Sequence, residues 1–335
     1  MKDIDFFSSN TYIYLPTKQN PKVALVVNSS ELATNAFKLY NPFSSKAKKF
    51  KRVIEFCFDN LNVLFKNFAK KKTKSEFIVY LEKELNESLV SSLYFATAKD
   101  KVVLQLQSKE AKILGYLKYP LNEMGLKHIK NEIRAYDILS SLGIVEGYLL
   151  SKEYLGKPFL FLKELNGSIG NIEHNHIEII LEKFKRDDRF LLSSHPRITQ
   201  IKDLLQKNGM QKYFLMIEKI CKNSIKEYRL VYEHGDFAPW NIVKVENDYI
   251  PFDFEYFVED GLEYLDSVKY YYQVGKLLDG KNGTELLNFI KQNLPIDEIN
   301  YFILLFLIKE ILIQIEENSD YEFEEKLLDL VWEKI

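Results

Sequence analysis

Alternating apolar and polar positions run through the middle of the chain and predict a set of strands. Residues 92–97 (SLYFAT), 101–107 (KVVLQLQ) and 111–119 (AKILGYLKY) alternate as antiparallel strands do, and polar turns separate them. Residues 125–142 favour a helix. Two further strands are predicted over the segments that follow, 147–154 and 158–162. The predicted order is therefore three strands, a helix and two strands.

The part of the chain before these strands has a different pattern. Residues 23–27 (VALVV) and 36–40 (AFKLY) predict strands, and residues 44–68 predict a basic amphipathic helix. Residues 74–90 have apolar side chains at three- and four-residue spacing, which is typical of a helix packed on one face. We interpret residues 1–90 as a small N-terminal α/β extension whose role the sequence does not reveal.

The C-terminal half is predicted to be mainly helical, with helices over residues 177–184, 201–228 and 285–335. Its longest apolar run, residues 301–308 (YFILLFLI), continues through the charged pair Lys309–Glu310 into three more apolar residues. That run is too short and too interrupted to cross a bilayer, so it predicts a buried helix and no transmembrane segment.

Composition supports a protein with a sizeable core. The chain has 335 residues, of which 46% are hydrophobic, enough for two lobes and an extension. Cys57 and Cys221 are too few for a disulfide framework, and no apolar N-terminal segment precedes a small-residue cleavage site. These features predict a cytoplasmic protein.

Charge is distributed unevenly along the chain. Residues 1–90 have 15 Lys or Arg against 9 Asp or Glu, whereas residues 246–335 have 7 against 21. Solvated faces explain this pattern. Alternatively, the acidic end favours cationic or polyhydroxyl substrates, and the basic runs at residues 46–52 and 70–74 touch an anionic membrane surface peripherally. No nucleic-acid motif accompanies the basic runs, so no nucleic-acid partner is expected.

Residues 231–255 (VYEHGDFAPWNIVKVENDYIPFDFE) carry the chemistry. His234-Gly235-Asp236 follow an apolar run, and Asn241 comes five residues after Asp236. Two predicted strands joined by a turn then lead to Asp253. Phosphoryl transfer requires a carboxylate that orients the acceptor hydroxyl. It also requires ligands for Mg²⁺, which an amide and a second carboxylate can supply.

The sequence HGDFAPWNI with a downstream DFE resembles the aminoglycoside phosphotransferase and choline kinase family. The resemblance covers about three quarters of the chain and implies a two-lobed α+β protein-kinase-like fold. Its N-lobe would be an antiparallel sheet with a helix over residues 91–165, and its C-lobe would be mainly helical over residues 166–335.

The resemblance also implies roles for the motif residues. Asp236 would orient the acceptor hydroxyl and accept its proton, while Asn241 and Asp253 would bind Mg²⁺. His234 would brace the loop. Glu255 would contact the metal, support a metal ligand or face solvent, and the sequence leaves these alternatives open.

A nucleotide site follows from the same likeness. Lys118, near the end of the third predicted strand, would contact the α/β-phosphates of ATP (or GTP), and Glu132 would hold it. A surface lysine and an ordinary helical glutamate are the alternative, and Lys112 is a competing lysine on the same strand. The turn over residues 96–101 would cover the phosphates, although it has no glycine. No Walker A motif occurs, which excludes a P-loop kinase.

Two further segments resemble family positions less closely. The Lys163 carbonyl and the Leu165 amide would meet the adenine edge, although a plain strand-to-helix turn fits the same residues. Asp266 would be a structural, N-cap-like residue supporting the catalytic loop. His174 and His176 lack partners for a metal site and favour a loop or helix start.

The predicted activity is transfer of the γ-phosphoryl group of ATP to a hydroxyl of a small molecule. A sugar or another surface-polysaccharide intermediate is the leading acceptor, motivated only by the resemblance. The alternatives are a nucleotide-binding pseudokinase that regulates or scaffolds a partner, and a protein kinase. The intact set of polar residues argues against the first, and the HGD loop and absence of an A-P-E segment argue against the second.

Overall fold

A computed structural model describes residues 4–17, 19–40, 49, 51–53, 56, 69–95, 100–169, 172 and 174–335. The chain forms two compact units, one of Met1–Ile133 with Gly147–Glu164 and one of Arg134–Glu146 with Leu165–Ile335. Most of the helix predicted over residues 44–68 and of the turn predicted over residues 96–101 lies outside the described residues. The domain boundaries predicted at residues 90 and 165 stay predictions.

The first unit contains an eight-stranded antiparallel sheet with the order β3-β1-β2-β4-β5-β6-β8-β7. Its strands are β1 (Thr11–Pro16), β2 (Pro21–Val26), β3 (Lys70–Lys71), β4 (Val90–Phe95), β5 (Lys101–Gln107), β6 (Ile113–Pro120), β7 (Leu150–Tyr154) and β8 (Lys157–Lys163). The five strands predicted from the alternating pattern are confirmed as β4 to β8. Three strands from the first 90 residues extend the same sheet.

A helix, α1 (Ser30–Lys38), lies where the sequence pattern predicted a strand, so that prediction is wrong. Ser29 caps the helix by accepting a hydrogen bond from the Leu32 amide at 3.3 Å. The side-chain Nε2 atom of Gln105 donates to the Asn35 backbone carbonyl at 2.9 Å, and Nε2 of Gln107 donates to the Leu32 backbone carbonyl at 3.2 Å. These buried glutamines attach α1 to strand β5.

The hydrophobic core of the first unit draws on residues from both ends of the sheet. It includes Tyr12, Leu25, Tyr119 and Phe159 together with Phe77 of helix α2 (Glu76–Leu85). The ring of Phe77 packs edge-on against that of Phe159, with centroids 5.9 Å apart. The first 90 residues therefore share a core with the later strands.

The second unit is mainly helical. Helix α3 (Glu123–Ser141) begins in the first unit and ends in the second. The other helices of the second unit are α4 (His174–Glu182), α5 (Pro196–Lys207), α6 (Gln211–Asn223), α7 (Leu265–Gln273), α8 (Gly283–Asn293), α9 (Ile299–Glu316) and α10 (Glu322–Trp332). Two three-stranded sheets accompany them, with the orders β10-β11-β14 and β13-β12-β9. Their strands are β9 (Ser168–Ile169), β10 (Lys185–Leu191), β11 (Glu227–Glu233), β12 (Ile242–Val245), β13 (Asp248–Pro251) and β14 (Val258–Leu262).

Two helical predictions have different outcomes. The single helix predicted over residues 201–228 is wrong, because α5 and α6 are separated at Gly209, whose φ is +68°, and the last of these residues lie in β11. The buried helix predicted from the apolar run is confirmed as α9, in which Lys309 and Glu310 are buried as well. No helix among the described residues has the length and apolar character needed to cross a membrane.

Candidate active site

The HGD motif lies directly after strand β11, which ends at Glu233. His234, Gly235 and Asp236 form the turn, and a short 3₁₀ helix (Pro239–Asn241) leads into β12. Gly235 has a φ of +82°, and a Cβ atom there would lie 2.2 Å from the Tyr256 carbonyl oxygen. Only glycine fits this position, which explains its place between the two polar residues.

Two buried side chains hold the backbone of this loop. The Asp266 carboxylate accepts hydrogen bonds from the His234 amide at 2.7 Å and the Gly235 amide at 3.0 Å. The Lys309 ammonium donates to the Gly235 carbonyl at 3.3 Å. The N-cap-like position predicted for Asp266 is wrong, because Tyr264 is the N-cap of α7 and Asp266 lies one residue inside the helix. Its carboxylate binds the loop instead.

His234 is fixed as a neutral ring. Its Nδ1 atom accepts a hydrogen bond from the Asp236 amide at 3.3 Å, so its Nε2–H donates to the Phe252 carbonyl at 3.0 Å. Burial lowers the pKa of His234. With both nitrogens engaged by the backbone, His234 is suited to bracing the loop rather than to proton transfer.

Asp236 has a distinct partner for each of its carboxylate oxygens. Oδ2 accepts a hydrogen bond from Asn241 Nδ2 at 2.9 Å, and Oδ1 lies 3.2 Å from Lys269 Nζ. Asn241 Nδ2 also donates to the Asp236 carbonyl at 2.9 Å, which closes the loop. The Asp236 side chain remains 22% exposed, so another molecule can reach this carboxylate.

The structure brings Asn241 and Asp253 together. The Phe252 amide donates to the Asn241 carbonyl at 2.9 Å, and Ile242 pairs with Pro251 across β12 and β13. Because Asn241 Nδ2 donates twice to Asp236, the amide oxygen of Asn241 is the atom left for a cation. An amide oxygen and a carboxylate are hard ligands that fit Mg²⁺.

Asp253 and Glu255 lie directly after strand β13. Asp253 has a φ of +68°, a conformation that a non-glycine residue adopts only at a special position. Glu255 follows two residues later and is half-buried. Its role, as a metal contact or otherwise, stays a prediction.

A network of buried charges underlies the loop, and the sequence analysis missed it. Glu233 has no exposed side-chain surface and pairs with Arg197 at 3.0 Å and with Lys309 at 3.1 Å. Burial alone would raise the pKa of Glu233, but the two cations outweigh burial and lower it. The charged pair that interrupts the apolar run of α9 was the available signal, because buried charges require partners.

Lys269 and Glu310 form a second buried pair beside this one. Lys269 Nζ lies 2.8 Å from Glu310 Oε2, and both side chains are less than 10% exposed. Burial alone would lower the pKa of Lys269, but the carboxylates of Glu310 and Asp236 outweigh it and raise the pKa. Lys269 is therefore an ammonium ion beside Asp236.

Lys118 and Glu132 form a buried ion pair within the first unit. Lys118 Nζ lies 2.6 Å and 2.8 Å from the two Glu132 carboxylate oxygens, joining strand β6 to helix α3. Their side chains are 9% and 1% exposed. Lys112 precedes β6 and is exposed. The structure thus brings Glu132 together with Lys118 and not with a surface lysine.

The remaining predicted positions lie elsewhere in the chain. Lys163 ends strand β8, where it pairs with Gly115 of β6, and Leu165 begins the next segment of the second unit. Their contact with adenine stays a prediction. The segment of His174 and His176 forms the start of helix α4, as the sequence predicted.

The chain was compared with known proteins. No protein-family model and no curated protein sequence matches it. Among solved structures, choline kinase LicA from Streptococcus pneumoniae is similar at a TM-score of 0.51 and 12% identity, covering 78% of this chain and 100% of that one. A thermostable mutant of aminoglycoside phosphotransferase APH(4)-Ia is similar at a TM-score of 0.50 and 7% identity, covering 77% and 99%.

The chain has the protein-kinase-like fold of the aminoglycoside phosphotransferase and choline kinase group. The predicted α+β fold class is therefore confirmed. At these identities the similarity establishes the fold, and the residues described above carry the argument about activity.

Proposed function

We propose that this protein is an ATP-dependent phosphotransferase that moves the γ-phosphoryl group to a hydroxyl of a small molecule. The observation that carries the proposal is the arrangement at Asp236, a reachable carboxylate oriented by Asn241 and Lys269. Its neighbours Asn241 and Asp253 supply the oxygen ligands that phosphoryl transfer requires. The fold shared with two small-molecule kinases supports this assignment.

The side chains divide the work as follows. Asp236 orients the acceptor hydroxyl and accepts its proton late, because the transition state is loose and needs little prior deprotonation. Asn241 and Asp253 would hold Mg²⁺, which supplies charge neutralisation for the phosphates when bound. His234 and Asp266 keep the loop backbone in place.

Nucleotide binding is assigned by the family resemblance. Lys118, held by Glu132, would contact the α/β-phosphates, and Lys163 and Leu165 would present a carbonyl and an amide to the adenine edge. ATP is the proposed donor, with GTP as the alternative.

The acceptor is proposed to be a sugar or another polyhydroxyl intermediate. The excess of acidic residues over residues 246–335, 21 against 7 basic ones, supports a polyhydroxyl or cationic molecule. A cytoplasmic location would give access to nucleotide, and peripheral membrane contact through the basic N-terminal region belongs to the same proposal.

The test is product formation across a panel of hydroxylated metabolites with Mg-ATP, comparing wild type with Asp236→Asn. The variant is expected to lose about 10²- to 10⁴-fold in turnover while binding nucleotide normally, because it lacks the proton acceptor. Asp248→Asn is the matched control, since Asp248 is an exposed aspartate at the start of strand β13.

Two results would contradict the proposal. One is equal turnover by wild type and Asp236→Asn, which would remove Asp236 from the chemistry. The other is nucleotide binding with no transfer and no hydrolysis by wild type on any acceptor, which would favour a nucleotide-binding pseudokinase.

A further inference from the structure

Lys269 is a buried cation that makes contact with the proposed catalytic carboxylate. Its side chain is 7% exposed, and its Nζ atom lies 3.2 Å from Asp236 Oδ1 and 2.8 Å from Glu310 Oε2. Burying a lysine is costly unless charged partners compensate for the lost water. The two carboxylates do so, and they come from different parts of the second unit.

Helix α7 places this lysine against the loop. Asp266, in the first turn of α7, binds the backbone amides of His234 and Gly235, and Lys269 follows three residues later on the same helix face. One helical turn therefore fixes both the backbone of the loop and the side chain of Asp236. Glu310 of α9 contacts the same ammonium.

We propose that Lys269 is a positioning residue for phosphoryl transfer, which orients Asp236 and offsets its negative charge where the phosphoryl group approaches. This inference rests on the proposed function. Asn241 contacts Oδ2 as a neutral donor and Lys269 contacts Oδ1 as a cation, so the carboxylate cannot rotate without losing one partner.

The chemistry explains why a cation is useful there. The acceptor oxygen forms a bond to the γ-phosphorus, and the bond from that phosphorus to the bridging oxygen breaks with its electron pair remaining on ADP. The hydroxyl proton passes to Asp236, and Lys269 keeps all three of its protons. A carboxylate near a triphosphate repels it, and a fixed ammonium at 3.2 Å weakens that repulsion without any rearrangement.

A purely structural role would have a different consequence. If Lys269 served only to compensate Glu310, removing both charges together would leave turnover unchanged. If Lys269 acts on Asp236, the same double change would slow turnover although the protein stays folded. The double variant Lys269→Met with Glu310→Gln leaves no uncompensated carboxylate at Glu310. Glu310→Gln alone measures the effect of losing the second contact of Glu310, with Lys309 at 3.8 Å, so the two variants together separate these cases.

A matched control is present nearby. Lys276 pairs with Glu324 at 2.7 Å, a Lys–Glu pair in the second unit whose lysine is 28% exposed and whose glutamate is buried, and Lys276 makes no contact with the loop among the described residues. The double variant Lys276→Met with Glu324→Gln should therefore reproduce any general loss of stability. It should keep wild-type turnover.

The measurement is steady-state transfer of phosphate from Mg-ATP to the best acceptor, or to water, together with the melting temperature of each variant. For the Lys269/Glu310 double variant we expect kcat to fall about 10- to 100-fold with less than about a threefold change in the KM for ATP. Lys269→Arg, which keeps a cation, should retain more of kcat than Lys269→Met.

The outcomes separate the inference from the proposed function. A Lys269/Glu310 variant with the kcat of the Lys276/Glu324 control would overturn the positioning role while leaving the phosphotransferase activity intact. Wild-type turnover that does not depend on Asp236 would instead overturn the proposed function, and the positioning role with it.

Discussion

Two of the buried ion-pair systems among the described residues are built differently. In the first unit, the Lys118 ammonium donates to both carboxylate oxygens of Glu132. In the second unit, Glu233 is shared by Arg197 and Lys309, and Lys309 also reaches the loop backbone. A shared carboxylate makes the position of the His234–Asp236 loop depend on two helices, α5 and α9.

Two buried carboxylates of the second unit, Glu233 and Asp266, have pKa values shifted in opposite directions. Two cations outweigh burial at Glu233 and lower its pKa, whereas burial and the negative charge of Glu233 raise the pKa of Asp266 to about 7. Glu233 ends the strand that leads into the loop, and Asp266 binds the backbone of the loop. What distinguishes them is that Glu233 contacts cations directly, whereas Asp266 contacts backbone amides.

The largest effect is expected from deleting residues 1–89. Deletion removes the strands β1 to β3 and the aromatic core contribution of Phe77. Because each large core side chain contributes about 3–5 kcal/mol and a domain has only about 5–15 kcal/mol in total, the first unit should not fold. Circular dichroism and limited proteolysis of residues 90–335 would check this.

Single substitutions in helix α2 test the same contribution to the core without deleting any residues. Phe77→Ala should lower the free energy of unfolding by about 3–5 kcal/mol, whereas Val79→Ala, at a 40% exposed position of the same helix, should have little effect. A cooperatively folded 90–335 fragment would instead show that the first 90 residues are a separable extension.

The next largest effect is the loss of unfolding free energy when the carboxylate of either ion-pair system is neutralised. Glu132→Gln removes the buried carboxylate whose two oxygens accept from Lys118 and should cost about 3–5 kcal/mol of unfolding free energy. Glu233→Gln should cost more, because it removes the carboxylate that two buried cations share, Arg197 at 3.0 Å and Lys309 at 3.1 Å. Urea unfolding followed by circular dichroism measures both.

Glu322→Gln is the surface control for that experiment. Glu322 pairs with Lys326, and both side chains are more than 60% exposed, so the change should be within about 1 kcal/mol. A smaller loss for Glu233→Gln than for Glu132→Gln would mean that sharing a carboxylate adds no dependence on it.

Local patterns predicted the parts of the structure that local sequence determines. Strict alternation identified β5, and the HGD motif with Asn241 and Asp253 identified residues that the fold brings together. The short run at residues 36–40 was assigned incorrectly, because a few apolar residues fit a strand or a helix equally well. The Ser29 cap and the glutamines of β5 decide the outcome.

The buried network could not be predicted in the same way. Arg197, Glu233, Lys269 and Lys309 are separated by tens of residues, and none has a spacing that indicates its partner. Their pairing depends on how β11, α5, α7 and α9 pack. The sequence could indicate only that the charges inside the apolar run of α9 required partners.

The smallest predicted effect is on the pH dependence of the free energy of unfolding, and it concerns His195, which contacts Arg197 of the buried charge network. His195 is fully buried, its Nδ1 accepts a hydrogen bond from the Arg197 amide at 3.2 Å, and burial lowers its pKa. Stability from a lowered histidine pKa is present above the unfolded value near 6.5 and is lost as pH falls through the folded value. His195→Asn keeps a capping side chain but cannot titrate, so the free energy of unfolding should fall less steeply between pH 7 and pH 5 than in wild type.

Asp266 contributes a pH dependence of the opposite sign, because its raised pKa means that stability is lost as pH rises toward about 7. This contribution is common to both proteins and cancels in the difference between them. Parallel pH profiles from urea unfolding would show that protonation of His195 does not oppose folding.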